Sequence, residues 1–184
     1  MRKKRGLQKD NKSIILRLDE CKYIGGNYNA SIYLMKNNRV AKIYKDPSEC
    51  RKEYNLVKGS PACNFFPKIY NFCGHYTIRE YIEGISIVKY INENRFNHQI
   101  ALHLIKFLEK LSINNLLHLN IKLKDIFIKK NNDVILIDIV NSDFKENSLI
   151  RILKSLKDLN TLELFLDELK KYNKVLYNKW TKLV

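Results

Sequence analysis

"RVAKIYKDPSECRKEYNLVKG", Arg39 to Gly59, reads as a strand followed by a capped helix, and each half carries one charge where an apolar residue belongs. Lys42 lies between Ala41 and Ile43, so alternation sends its side chain to the opposite face of the strand from theirs. Asp46 suits the helix N-cap, Pro47 the first helical position, and Glu49 the third-position partner of a capping box. Gly59 suits the stop, which predicts a helix from Pro47 to Lys58. Cys50, Tyr54 and Val57 form a packing stripe, and Glu53 falls inside it. A carboxylate on a packing face needs a cation, and Lys42 is the natural candidate. The alternative is a lysine whose stem packs while its head reaches water.

Working outward, "CKYIGG" (21–26) and "ASIYLM" (30–35) read as strands around a Gly/Asn turn, with "KNN" (36–38) as the next turn. "FFPKIYNFCG" (65–74) and "HYTIREYIEG" (75–84) supply two more strands. The expectation is five antiparallel strands with one helix inserted after the third. Beyond them "SIVKYINENR" (86–95) is a helical connector, and "FNHQIALHLIKFLEKLSINN" (96–115) is a strong helix with Ile100, Leu104, Phe107, Leu108 and Leu111 at helical spacing. "LLHLNIKLKD" (116–125) reads as a loop, "IFIKKNNDVILID" (126–138) as a hairpin, and "SLIRILKSL" and "LNTLELFLDELKKYNKVLYNKW" as helices running to the end. The fold class is therefore α+β, with a basic flexible tail over 1–13, a sheet-rich part over 14–84 and a mostly helical part over 85–184.

Composition narrows the function. The 45% hydrophobic content of 184 residues can bury a sizeable core. No apolar run is long enough to span a membrane, and the charged start lacks a signal peptide's apolar stretch. A soluble, cytoplasmic protein is the expectation. Cys21, Cys50, Cys63 and Cys73 make no CxxC pair, and His75, His98, His103 and His118 make no HExxH cluster, so reduced cysteines and no protein-ligated zinc are expected. The formal charge of +15 invites a nucleic-acid reading, but the lysines spread along the whole chain, so nucleic acid is not the expected partner.

Two further stretches carry chemistry. Gly25, Gly26 and Asn27 make a strand–turn–strand that can hold phosphate with backbone N–H groups, or that is simply a hairpin turn. In the 126–138 hairpin, a two-residue turn at Asn131-Asn132 pairs Lys130 with Asp133 and, counting back, Asp125 with Asp138. Two adjacent carboxylates beside an anionic substrate suit Mg²⁺. Alternatively Asp125 is a loop cap and Asp138 bonds to backbone.

In this order the residues resemble the signature set of eukaryotic-type protein kinases. "IGGNYNASIYL" resembles the glycine loop, "VAKIYK" the strand-three segment with Lys42 as the phosphate lysine, and "ECRKEYNLV" the helix carrying its partner, Glu53. "TIREYIEG" resembles the hinge, with Glu80, Tyr81 and Ile82 as the adenine edge. "HLNIKLKDIFI" resembles the catalytic loop and "VILIDIV" the segment holding the metal aspartate, Asp138. The resemblance spans about residues 20–142 and implies a two-lobed kinase-like fold with a truncated C-lobe, binding ATP and Mg²⁺.

The departures matter as much. Only Gly25 matches a family glycine, with Asn27 and Ala30 in place of the second and third. Arg79 stands at the gatekeeper position, where it fills the back pocket or adds a cation near the nucleotide. Asn120 replaces the aspartate that accepts the substrate proton, while Lys122 matches the lysine that neutralises the transferring phosphate. Asp125 replaces the family asparagine as metal ligand, and Ile139-Val140 replace Phe-Gly. No A-P-E follows, and small bacterial kinase-like proteins and effector kinases resemble this shortened form. The implied function is a weak ATP/Mg-dependent phosphotransferase of the Ser/Thr kinase-like class acting on an unnamed protein or small-molecule acceptor. The alternatives are a nucleotide-binding pseudokinase that acts as scaffold or regulator, and a basic binding module that kept only the fold.

Overall fold

The computed structural model describes residues 16–60, 63–139 and 147–184. The expected basic tail over 1–13 and Val140 lie outside them, as does the expected β start at Ile14. A single 3₁₀ turn at Leu18–Glu20 precedes the first strand. The fold is α+β: a five-stranded antiparallel sheet, then a mostly helical part. The sheet comprises β1 (Lys22–Gly26), β2 (Ala30–Met35), β3 (Arg39–Tyr44), β4 (Ile69–Phe72) and β5 (Tyr76–Glu80) in the order β1-β2-β3-β5-β4. β3 is central, and Lys42 pairs with Ile32 on one side and Thr77 on the other.

Helix α1 (Pro47–Gly59) follows β3 and packs on β3 and β5. Asp46 caps it by accepting from the Ser48 N–H at 2.8 Å. The expected capping box is replaced: the Glu49 carboxylate turns to Lys52, at 2.9 Å. Gly59 is the last helical residue and Ser60 the C-cap, one position beyond the expected stop. Of the expected stripe Cys50 and Val57 are buried, with Glu53 between them, and Tyr54 is half-buried.

The second part begins with a strand that sequence patterning missed, β6 (Gly84–Ser86), which pairs with β7 (Ile126–Lys129) beside β8 (Val134–Leu136) in a three-stranded sheet. The β7–β8 register is Ile126↔Leu136, Phe127↔Ile135 and Ile128↔Val134, one residue away from the two-residue turn expected at Asn131-Asn132. Asn132 adopts φ 64°, and the Lys129 N–H bonds to Asp133 O, so the loop holds three residues. Asp125 therefore faces Ile137, whose N–H bonds to Asp125 O, instead of pairing directly with Asp138.

Helices α2 (Ile87–Asn92), α3 (His98–Ile113), α4 (Ser148–Asp158), α5 (Leu162–Tyr172) and α6 (Lys174–Trp180) complete the chain. The single C-terminal helix expected from the sequence is broken at Asn173, whose side chain accepts from the Val175 and Leu176 N–H groups and so caps α6. Ile100, Leu104, Phe107, Leu108 and Leu111 all enter the main core, with Ile126, Ile152, Phe165, Leu169 and Trp180. Phe165 stacks on Trp180 with ring planes 10° apart.

Every non-glycine residue at positive φ among those described is an asparagine: Asn37, Asn38, Asn94, Asn115, Asn132 and Asn160. Asn94, Asn115 and Asn160 each sit just past a helix. At each, the following N–H reaches back to the third-last helical carbonyl: Arg95 to Tyr90, Leu116 to Leu111 and Thr161 to Leu156. The left-handed conformation is open to Asn and costly for a β-branched side chain. Asn160→Val is expected to lose about 1–2 kcal/mol in a denaturant titration, and Asn160→Gly to stay within about 0.5 kcal/mol. Equal losses in the two variants contradict this account.

Candidate functional site

The site forms where the two sheets meet. Alternation along β3 puts Lys42 and Tyr44 on one face, and alternation along β5 puts Thr77 and Arg79 beside them. α1 delivers Glu53 onto the same face, and the segment after β8 delivers Asp138. Lys42 Nζ donates to Glu53 Oε2 at 2.7 Å and to Asp138 Oδ1 at 2.5 Å. The Tyr44 hydroxyl donates to Glu53 Oε2 at 2.6 Å. Arg79 Nη1 donates to Glu53 Oε1 at 2.8 Å, Nη2 to the Tyr44 hydroxyl at 2.9 Å, and Nε and Nη2 to Thr77 Oγ1 at 3.2 and 2.8 Å.

Lys42, Glu53, Thr77 and Arg79 are all at most 5% exposed, so this is a buried polar network with each charge paired. Burial pushes the Glu53 carboxyl up, but Arg79 and then Lys42 outweigh it and hold the group at about 2. Burial also pushes the Tyr44 hydroxyl far up, keeping it a neutral donor. Arg79, Thr77 and Tyr44 were not placed in this network by sequence reasoning. Spacing gives only that Tyr44 shares a face with Lys42, and Thr77 with Arg79; the pairing of β5 with β3 brings the two faces together.

Asp125, half-buried at the end of the 3₁₀ turn Leu123–Asp125 just before β7, is the electrostatic opposite of Glu53. Burial, and then the nearby Asp138 carboxylate, push it up to about 6. Lys122 is exposed beside it. Asp125 and Asp138 are the two carboxylates able to share a cation. Among the described residues no group of three or more His, Cys, Asp or Glu could enclose a metal.

Asn120 is 6% exposed, and its Oδ1 accepts from Arg151 Nη1 of α4. Its loop is clasped by Ser148, the first residue of α4. The Ser148 hydroxyl donates to Leu119 O and accepts from the Ile121 N–H at 2.9 Å, while the Ser148 N–H donates to Leu117 O. Neither Ser148 nor Arg151 was legible as a site residue, since both lie in an ordinary amphipathic helix.

The glycine turn closes on itself. The Asn27 N–H donates to Ala30 O at 2.8 Å, and Asn27 Oδ1 accepts from the Asn29 and Ala30 N–H groups at 2.8 and 3.0 Å. Gly26 is required by close approach, because a Cβ there would lie 2.6 Å from Ala30 O. Gly25 sits at a bulge in the β1–β2 pairing. The Asn29 and Ala30 N–H groups are thus already taken by the Asn27 side chain and are not free for an anion.

Between the sheets lies a cleft of about 300 Å³, lined by Ile24, Ile32, Val40, Ile82, Phe127 and Ile137, with Lys42 and Arg79 on its wall. Glu80 and Tyr81 edge it. The Glu80 carboxylate accepts from the Lys68 N–H at 3.2 Å and lies 3.9 Å from Lys129 Nζ. The Tyr81 N–H donates to Asn38 O. Ile82 is 8% exposed.

Two titrations follow with opposite signs. Glu53 contributes stability above about pH 4.5 that is lost as pH falls toward 2. Its truncation, Glu53→Ala, strands the buried Arg79 and leaves Lys42 only Asp138, and should cost about 3–5 kcal/mol in chemical denaturation. Asp125 contributes stability below about pH 3.8 that is lost as pH rises through 6. Asp125→Asn removes that loss. Allowing for solvent screening of a half-buried group, we expect melting about 2–4 °C above the parent at pH 7.5 and a clearly smaller gain at pH 4.5. A gain of equal size at both values refutes the electrostatic cause.

No protein-family model and no curated protein matches this chain.

Proposed function

We propose that the chain is a protein-kinase-like ATP phosphotransferase with weak catalysis. The observation that carries this reading is Lys42, whose ammonium joins Glu53 at 2.7 Å and Asp138 at 2.5 Å on the wall of an apolar cleft. A cleft of this size and lining suits a flat heterocycle, with Ile24, Ile32, Val40 and Phe127 against its faces and the backbone at Glu80–Ile82 along its edge. Lys42, held by Glu53, is positioned to engage phosphate oxygens beyond the ring. Asp138 and Asp125 are the residues that would hold Mg²⁺, and relief of their mutual repulsion favours its binding. Bound Mg·ATP supplies the transferable phosphoryl group and the metal charge that draws electrons from it. Lys122, exposed next to Asp125, offers a cation to the group in transfer.

The second reading, a nucleotide-binding pseudokinase, is favoured by Asn120. An amide is no base at neutral pH, and its oxygen is already occupied by Arg151. Loss of a general base lowers such a reaction by about 10²–10⁴-fold without abolishing it.

Thermal denaturation with ATP and Mg²⁺ and a radiolabel transfer assay separate the readings. Saturation at about 100 times Kd should add about 2.7 kcal/mol of stability. Slow label transfer that Asp138→Asn abolishes supports the enzyme. A shift without label supports the pseudokinase, and no shift rejects both.

A further inference from the structure

The fold gathers lysines that the sequence scatters. Two recesses, of about 570 and 400 Å³, run into one groove, because they share Asn64, Lys129 and Ile135. Its walls are the second half of α1, the segment 64–69, the β7–β8 hairpin and α3, and it shares only Pro67 and Glu80 with the lining of the apolar cleft. Five lysines line it: Lys58, Lys68, Lys106, Lys110 and Lys129. Two carboxylates line it, Glu80 and Asp133. Glu80 lies 3.9 Å from Lys129, and Asp133 Oδ2 accepts from Asn131 Nδ2 at 2.7 Å. Glu109, between Lys106 and Lys110 on α3, accepts from the Tyr172 hydroxyl at 2.7 Å. With all three carboxylates counted, the groove keeps a positive excess.

Lys58, Lys68, Lys106 and Lys110 are exposed, and none is ion-paired to a described carboxylate. Each lies against a ring instead: Lys58 over Tyr54 at 5.4 Å, Lys68 over Tyr70 at 5.6 Å, Lys106 over Tyr172 at 5.8 Å and Lys110 over Phe65 at 5.9 Å. A ring positions an ammonium without cancelling its charge. Lys106 and Lys110 follow each other one turn apart, about 6 Å along α3. Cations repeated along an open track suit a ligand that carries a charge at every step. Faces that bind proteins are rich in arginine and poor in lysine, whereas faces that bind nucleic acid are far more positive. This groove is lined by lysine and by no arginine. Being walled, it admits one strand and not the width of a duplex.

We propose that this groove binds single-stranded nucleic acid through its phosphates, without regard to sequence and apart from the nucleotide cleft. Fluorescence anisotropy of the full chain with a labelled oligo(dT) of about twelve nucleotides, repeated over a range of salt, tests it. Contacts to about three to five phosphates give a log–log salt slope of about −2 to −3.5, so affinity should fall about 20–130-fold between about 50 and 200 mM salt. Lys106→Gln/Lys110→Gln should weaken binding about tenfold or more at about 50 mM salt and make the slope shallower by about 1.4. Lys22→Gln/Lys45→Gln removes the same charge from exposed positions of the first sheet, outside the groove, and should weaken binding by less than about twofold. Equal losses in the two pairs overturn the proposal, because binding is then diffuse over the positive charge of the chain. An unchanged slope in the groove pair overturns it as well. Poly-Glu that displaces the label as readily as unlabelled oligo(dT), at equal charge, overturns it in favour of an acidic protein partner. No binding by the parent at about 50 mM salt overturns it outright.

Discussion

The pairing of one carboxylate, Glu53, with two cations is the constraint on which the arrangement turns. A buried glutamate is costly unless both oxygens are satisfied, and here they are satisfied from three elements at once: α1 supplies the carboxylate, β3 supplies Lys42 and Tyr44, and β5 supplies Arg79. Helix α1 cannot rotate or slide along the sheet without stranding a charge. The same Lys42 then reaches Asp138, 96 positions along the chain, and so ties the first sheet to the segment after β8. The network works as a registration device between parts of the fold that apolar packing alone would leave freer to shift.

Such a network is not the cheapest way to fill this volume. Apolar side chains of similar size would pack there with no desolvation cost. The apolar positions around it are ordinary core, with Val57 and Phe66 joining the large cluster and Ala30, Tyr44 and Cys50 forming a small one under β3 and α1. Lys42, Glu53, Thr77 and Arg79 interrupt that apolar surface at one place, on the side where the cleft opens. Stability does not ask for charges there, and the nucleotide-binding reading proposed above gives them a use.

The parts of this arrangement that were legible in the sequence share a physical reason. Lys42 and Glu53 each break a strong local period, one of two residues and one of 3.6, so each announces itself against its own neighbours. The five strands and α1 were legible on the same ground. Arg79 is different: its strand tolerates polar residues, and only the pairing of β5 with β3 shows that it faces inward. The hairpin register was missed by one residue because Asn132 takes the left-handed conformation and lengthens the loop, a choice that composition alone does not settle. The break at Asn173 was missed because asparagine serves this chain at both ends of its helices, as N-cap at Asn97, Asn147 and Asn173 and as terminator at Asn94, Asn115 and Asn160. A chain with 6 glycines puts asparagine to work in left-handed turns, and asparagine is too common here to punctuate the sequence unambiguously.

Glu53 and Asp125 show how the same functional group is moved in opposite directions within one site. Both lose water on folding, which raises each of them. At Glu53 two fixed cations reverse that effect and leave a carboxylate that stays ionised at about 2. At Asp125 the neighbouring Asp138 adds to it, and Lys124 and Lys122 only partly offset the sum, leaving the group at about 6. The site is therefore electrostatically complete at its Glu53 end and carries surplus negative charge at its Asp125 end. Arg79 cannot relieve that surplus, because its donors are committed to Glu53, Tyr44 and Thr77. Only a proton or a mobile cation can do so, which locates the responsive part of the site at the Asp125–Asp138 pair and the rigid part at Glu53.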